Sequence, residues 1–347
     1  MTRKARTSHP IPAAAPAPRP KRGQHWRQVL IFVVTVMVYS TAVTSPLLFD
    51  DQTSIVSNPS IRRLTPVSAL LMPPRDTPVA GRPLVNLTFA LNYAVGGLGT
   101  RGYHVVNILV HVLAALALFG LLRRAFRLPR LEPHFGGAAD NLALAAALLW
   151  AVHPLNSEVV NYLTQRSESL MGVFFFLTLY SSLRALNDET PVWTLAAVAC
   201  SFLGMASKES MATVPLAVVL LDRVLVFDGW RVQWARRRTL YLGLAASWLL
   251  LAGLLATGPR SSVGFEAGTT VWTYLLNQFQ LIPRYLMLTV WPRALVLDYG
   301  LPIPLTFGDV AAGAGLLIVL GLATLVALWR WPLVGALGAL FFLTLGP

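Results

Sequence analysis

An all-α polytopic membrane protein is the fold class that this sequence predicts, and three observations carry the prediction. Of its 347 residues 55% are hydrophobic and 12% are charged, about half the charged fraction of a soluble domain, and the mean hydropathy is +0.59. Apolar runs of bilayer-spanning length recur along the chain, since about 20 residues rising 1.5 Å each cross the hydrocarbon. The net charge of +13 is carried by basic residues clustered beside those runs, as cytosolic flanks require, so it does not point to nucleic acid. Lysine occurs only as Lys4, Lys21 and Lys208, which makes arginine the default cation. Heavy use of Ala, Gly, Pro and Arg points to a high-GC bacterial genome. The single cysteine, Cys200, lies in an apolar run, so disulfides, thiolate metal sites and cysteine catalysis have no support.

Residues 1–28 are basic and Pro/Ala-rich, with Pro10, Pro12, Pro16, Pro18 and Pro20 ahead of Lys21-Arg22. Such a segment cannot build a core and reads as a disordered cytosolic arm. A membrane domain follows over 29–347. The apolar run at 29–49 is too long for a signal-peptide core, and Ala42-Val43-Thr44 makes a poor cleavage site. It is read as an uncleaved first span with its amino terminus inside. It ends in Leu47-Leu48-Phe49-Asp50-Asp51. Anchoring does not need two adjacent acids. At the water–lipid boundary they can stay ionised and meet a lipid-borne substrate, or they are two solvated loop acids.

Residues 50–103 form the first external loop, in which Pro59, Pro66, Pro73, Pro74, Pro78 and Pro83 keep any helix short. Leu84, Leu87 and Leu91 recur at helical spacing beside Arg82, Asn86 and Asn92, as in a helix lying in the membrane interface. Asn86-Leu87-Thr88 matches a glycosylation sequon, a chance match in a bacterial chain. A second span at about 105–122 meets Arg123, Arg124, Arg127 and Arg130, which marks the cytosolic side and puts 50–103 outside. Further apolar runs cover about 141–152, 169–183, 192–206, 211–227 and 239–257. Arg231, Arg236, Arg237 and Arg238 place the loop before the last of these inside. A mixed external segment (258–273), a polar-striped helix at about 274–290 that either crosses or re-enters, a Pro-rich loop, and spans near 308–329 and 333–347 complete the chain. Nine to eleven membrane segments are expected. The chain stops in an apolar run, as a truncated gene product would, and no 20–50-residue period marks a solenoid.

Polar groups interrupt the apolar pattern at three places. After His153-Pro154, Glu158, Asn161, Gln165 and Glu168 fall at i, i+3, i+7 and i+10, so on a continuous helix they share one face while Val159, Val160 and Leu163 turn away. Arg166 adds a cation. Because each charge at a helix centre costs about 2.5–3.5 kcal/mol, this stripe either lines a water-filled cavity or belongs to a surface loop. Ser207-Lys208-Glu209-Ser210 places an ammonium between two apolar runs, for a phosphate, for a carboxylate, or at an exposed hairpin tip. In the last third, Thr273, Asn277, Gln280 and Arg284 share a face, and Arg284 either holds a lipid phosphate or snorkels to the interface. Trp291-Pro292 and Asp298-Tyr299-Gly300 read as an interfacial loop. His104 and His111 are seven apart in the second span; His104 could meet substrate, or both pack. No HExxH, CxxC or glycine-rich phosphate loop appears, which argues against zinc hydrolases and nucleotide-driven pumps.

Taken in order, these pieces resemble the transmembrane-and-tetratricopeptide-repeat O-mannosyltransferases and their bacterial relatives, within the GT-C glycosyltransferase superfamily. The matching residues are Phe49-Asp50-Asp51 with Ile55, Asn58 and Ile61; Arg82-Pro83-Leu84 with Leu91-Asn92-Tyr93; and Gly102-Tyr103-His104-Val105-Val106-Asn107 with His111. They continue through His153-Pro154 with Glu158-Val159-Val160, Arg166-Ser167-Glu168-Ser169-Leu170, Ser207-Lys208-Glu209 and Pro215 through Asp222. Tyr285 to Pro292, Leu295, Asp298-Tyr299 and Ile303-Pro304 close the set.

The resemblance implies a GT-C membrane domain that transfers a sugar, mannose or another hexose, from a polyprenyl-phosphate donor to a protein or glycan hydroxyl at the external face. It maps the general base onto Asp50 or Asp51. Chemistry agrees, since an attacking hydroxyl must lose a proton to a positioned carboxylate. The departing phosphate needs cationic partners, for which Lys208, Arg166 and Arg284 are candidates. The wider substrate-binding set is Arg82, His104, His153, Glu158, Arg166, Glu168, Lys208, Glu209 and Arg284. No cofactor or metal site is expected beyond the lipid donor, with a divalent cation left open. The expected setting is a bacterial inner membrane with the amino terminus in the cytosol. Family members usually continue into further membrane segments and external tetratricopeptide repeats, which this sequence does not contain, so the acceptor stays open. A lipid-linked-sugar transporter and a non-catalytic scaffold are the alternatives.

Overall fold

The computed structural model describes residues 25–186, 191–256 and 270–346. Every regular element among them is helical, which is the fold class expected. Helix α1, Trp26–Tyr39, continues through the turn Ser40–Thr44 into the first long loop. Its first turn already includes Arg27 and Gln28, so the amino-terminal arm ends sooner than the composition implied; residues 1–24 lie outside the described residues. The loop holds only short helices before α3: a π-helical turn at Gln52–Val56, α2 at Val67–Leu71, then α3 at Pro83–Gly96. Pro83 opens α3, where a missing N–H costs nothing. Val85, Asn86, Phe89 and Ala90 are buried on one face of α3 while Leu91 is exposed, as suits a helix lying in the interface.

Helix α4, Thr100–Ala125, is the central rod, packed against α1, α6 and α8. A short α5, Glu132–Phe135, leads to α6, Ala139–Ala151. Ala114, Ala115, Ala143, Ala147 and Ala151 are almost completely buried, and such small side chains let membrane helices approach closely. After α7, Asn156–Asn161, come α8, Arg166–Arg184, α9, Val192–Met205, α10, Val214–Leu225, and α11, Trp230–Ala256. Met205, Met211, Val214, Ala217, Leu240 and Leu244 form the core among the last four.

Direction alternates from helix to helix, which gives the bundle two chemically different ends. The ends of α1 and α6 meet where the Tyr39 hydroxyl donates to Ala151 O at 3.1 Å, and α3 joins them at this end, its Leu84 N–H bonded to Ala206 O after α9. At the opposite end Asp140 accepts from Arg127 at 2.8 Å and pairs with Arg123 at 2.7 Å and Arg27 at 3.8 Å, tying together the starts of α1 and α6 and the end of α4. Arg237 pairs there with buried Asp222 at 2.9 Å.

Helix α12, Val271–Val290, runs in the same direction as the start of α13, Phe307–Arg330. Trp272 sits on Phe307 with ring centres 5.5 Å apart, and Gln280 Nε2 donates to Asp309 O at 3.1 Å. The connecting loop 291–306 therefore folds back along α12: Tyr299 meets Tyr285 at 5.7 Å, and Asn277 Nδ2 donates to Ile303 O at 2.8 Å. The segment that sequence left undecided between crossing and re-entering is thus a helix with its own returning loop. Helix α14, Pro332–Leu345, packs antiparallel on α13.

Among the described residues four helical segments are long and apolar enough to cross a membrane: Trp26–Thr44, Thr100–Ala125, Trp230–Ala256 and Phe307–Arg330. The protein is a multi-pass membrane protein, but the count of nine to eleven spans is not met by length. Helices α6, α9 and α14 have 13, 14 and 14 residues, short of the ~20 that cross unaided, and α6 and α9 continue into polar turns.

Candidate active site

The end of the bundle that carries Asp50 and Asp51 also gathers the polar groups that sequence singled out, but it gives the two acids opposite environments. Phe49 adopts a left-handed backbone with φ 38°, uncommon for a bulky residue, and the turn it makes sends the following carboxylates apart. Asp51 is fully buried. Its Oδ1 accepts from Thr164 N at 2.8 Å and Thr164 Oγ1 at 2.7 Å, and its Oδ2 accepts from Leu48 N at 3.0 Å. Burial pushes its carboxyl above the ordinary value, while the donors of Leu48 and Thr164 pull the other way. These contacts make Asp51 a strut between the first loop and the turn before α8, with no oxygen free for a substrate.

Asp50 is exposed, and its backbone N–H donates to the Tyr162 hydroxyl at 2.9 Å. Burial first, then the Asp50 charge, pushes the ionisation of that hydroxyl up, against the Asp50 N–H. Tyr162 thus anchors the backbone that carries the acid. Tyr162 and Thr164, which position the two acids, were missed in the sequence reading. The only signal was their place inside the polar interruption, because the contacts span more than 110 residues.

The interruption itself is not one helix. Helix α7 ends at Asn161, Tyr162 is extended at φ −84° and ψ 111°, and a 3-10 turn at Leu163–Gln165 leads into α8. The reset in phase brings Gln165 Nε2 to Glu158 Oε1 at 3.1 Å, while Arg166 turns inward. Burial raises the Glu158 carboxyl above its ordinary value; Gln165 and Lys208 counter this and Glu168 adds to it.

Two cations reach the same region, each already paired. Lys208 Nζ contacts Glu168 Oε1, and Arg82 Nη2 holds both oxygens of Glu209 at 3.0 and 3.2 Å while Nη1 donates to Ser167 Oγ at 3.2 Å. All four ionised side chains are partly or largely buried, so the paired acids offset cations that would otherwise be costly at this depth.

Four of the expected substrate contacts are placed elsewhere by the structure. Arg166 is buried at the heart of the bundle. It donates to Asn107 Oδ1 at 2.7 Å, Asn92 Oδ1 at 2.6 Å, Thr88 Oγ1 at 3.3 Å and Tyr103 O at 2.9 Å, and it stacks 4.6 Å from the Phe89 ring. Four of its five N–H donors join α3, α4 and α8, and full burial keeps the guanidinium away from the mouth. His104 is buried with Nε2 on Ser45 O at 3.1 Å. His153 joins α7 to α12: Leu155 N donates to its Nδ1 at 3.3 Å, and its Nε2 donates to Thr289 O at 3.0 Å. Arg284 lies outside the group, exposed and 4.7 Å over the Tyr299 ring. Among the described residues no group of three or more His, Cys, Asp or Glu is arranged to hold a metal ion.

An exposed acid, a second half-buried acid and two counterbalanced cations thus share one mouth of a multi-pass helical bundle. The chain belongs to the dolichyl-phosphate-mannose-protein mannosyltransferase family, which matches residues 76–256. Similar proteins include a protein O-mannosyl-transferase of Caenorhabditis elegans, 30% identical over 57% of this chain and 28% of its own length. The human protein O-mannosyl-transferase TMTC4 is 29% identical over 54% of this chain and 28% of its own. Tmtc1 of Drosophila melanogaster is 27% identical over 76% and 33%. The matched stretch thus spans a third or less of these curated relatives. No solved structure matches the chain.

Proposed function

We propose that the protein transfers a hexosyl group, mannose or a close relative, from a polyprenyl-phosphate donor to a hydroxyl of a protein or glycan, with Asp50 as general base. The observation that carries this reading is the division of labour between neighbours: Asp51 is locked into the fold, while Asp50 stands exposed at the mouth of the first span, steadied by Tyr162. In the reaction the acceptor oxygen forms a bond to the anomeric carbon as its proton passes to the Asp50 carboxylate. The bond from that carbon to the phosphate oxygen breaks, and the lipid phosphate leaves with the electron pair. Lys208 and Arg82 stabilise that anion, drawing on charge that Glu168 and Glu209 hold in the resting state. Arg166, His104 and His153 act as positioning residues, through the helices they join.

The site is proposed to face the outside of the cell, a periplasm if the source is bacterial, with the arginine-rich end in the cytosol. Replacing Asp50 and Asp51 separately with Asn and assaying transfer from radiolabelled polyprenyl-phosphate mannose tests the reading. Asp50→Asn should lower transfer by about 10²–10⁴-fold, the usual worth of a positioned base, with an unchanged thermal midpoint. Asp51→Asn should lower the midpoint first. Full transfer by both variants would remove the base, and movement of intact lipid-linked sugar without transfer would favour a transporter.

A further inference from the structure

A cavity of about 550 Å³ opens between α7, α12 and the loop that folds back along α12. Its polar lining includes Glu158, Tyr274, Gln278, Tyr285, Asp298 and Tyr299. The volume falls within the ~300–1,000 Å³ of small-molecule sites. No lysine or arginine is among the described residues that line it, and both of its charged side chains are acids. A phosphate would meet only repulsion there. A neutral ligand with apolar faces and hydroxyl edges would not, because tyrosine rings offer flat surfaces with polar tips, and a carboxylate accepts from hydroxyls.

We infer that this cavity is a saccharide subsite: it takes the hexosyl ring against Tyr285 and Tyr299, with Glu158 and Gln278 on the ring hydroxyls. The inference rests on the proposed function for which sugar is carried, and it adds where that sugar is recognised. Tyr285 and Tyr299 meet edge to face at 84° with centres 5.7 Å apart, and Arg284 braces Tyr299 from 4.7 Å. Asn277 fixes the wall: it donates to Ile303 O at 2.8 Å and accepts from Ile303 N at 3.3 Å. Glu158 sits at the inner edge, where it feels both Glu168 and Lys208. A ring in the cavity would therefore point its phosphate out of the acidic pocket and towards the ammonium. Apart from Pro154, Leu155, Ser157 and Glu158, the lining lies beyond residue 256, where the family match ends.

The test is saturation-transfer NMR and calorimetric titration of methyl α-mannopyranoside and methyl β-glucopyranoside against the full chain in lipid nanodiscs. Wild type should bind at least one glycoside. Tyr285→Ala and Glu158→Gln should each weaken binding at least tenfold, and Tyr285→Phe, which keeps the ring, should restore it. Thermal midpoints report whether each variant is folded. Binding unchanged in both Tyr285→Ala and Glu158→Gln, no binding by wild type, or displacement of the glycoside by a serine-containing peptide (which would assign the cavity to the acceptor) overturns the inference. Transfer assayed on the same preparations separates the two readings. Glycoside binding without transfer keeps the subsite and removes the catalysis, whereas transfer with binding indifferent to the cavity variants does the reverse.

Discussion

Arg166 shows how one side chain can be legible as important and still be misread. Sequence marked a cation beside a polar stripe and offered it to a phosphate. The fold spends its guanidinium on Asn92, Asn107, Thr88 and the Tyr103 carbonyl, partners up to 78 residues away that no local pattern reveals. Replacing it with Met strands several buried acceptors, each costing ~1–3 kcal/mol. Arg166→Met should therefore lose on the order of 3–5 kcal/mol of stability, read as a large fall in thermal midpoint, and Arg166→Lys should rescue little because an ammonium cannot make the fork. Glu158 is half-buried at the same mouth, and its raised pKa gives a pH signature. Since the folded state holds that proton more tightly than the unfolded one, the carboxyl's contribution is fully present below the unfolded value of about 4.3 and is lost as pH rises through the folded one. Glu158→Gln removes the loss, so its midpoint should gain on wild type between pH 4 and pH 8; a constant gap would contradict the burial.

Among the elements, the apolar runs gave every long helix, because periodicity and length are local properties. The break at Tyr162 was not legible: one extended residue and a 3-10 turn reset the phase, and the turn is held by Asp51 of the first loop, 113 residues away. The pairing of α12 with α13 was equally hidden. It depends on Gly313, where an added Cβ would lie 1.9 Å from Phe279 O. Backbone oxygen cannot swing aside as a side chain can, so Gly313→Ala should force the two helices apart despite alanine's better helix propensity. A cost of about 1–3 kcal/mol is expected, with faster proteolysis of the 291–306 loop; an unchanged midpoint and cleavage rate would show that the two helices are not so closely engaged.

For the molecule as a whole, composition and the recurring apolar runs were enough for class, and the bundle has two chemically unlike ends. The proposed orientation is checked by cysteine labelling in a Cys200→Ala background. Ser157→Cys should react with a membrane-impermeant maleimide on intact cells, and Arg238→Cys only after lysis; the reverse pattern would invert the topology. What composition could not show is how firmly α1 is held. It is clamped near its start by Asp140 and at its last residue by Ala151, and the loop that follows it is held by Thr164. A rod held at both ends cannot slide as a piston, so any rearrangement at the mouth must come from the helices and loops packed around it.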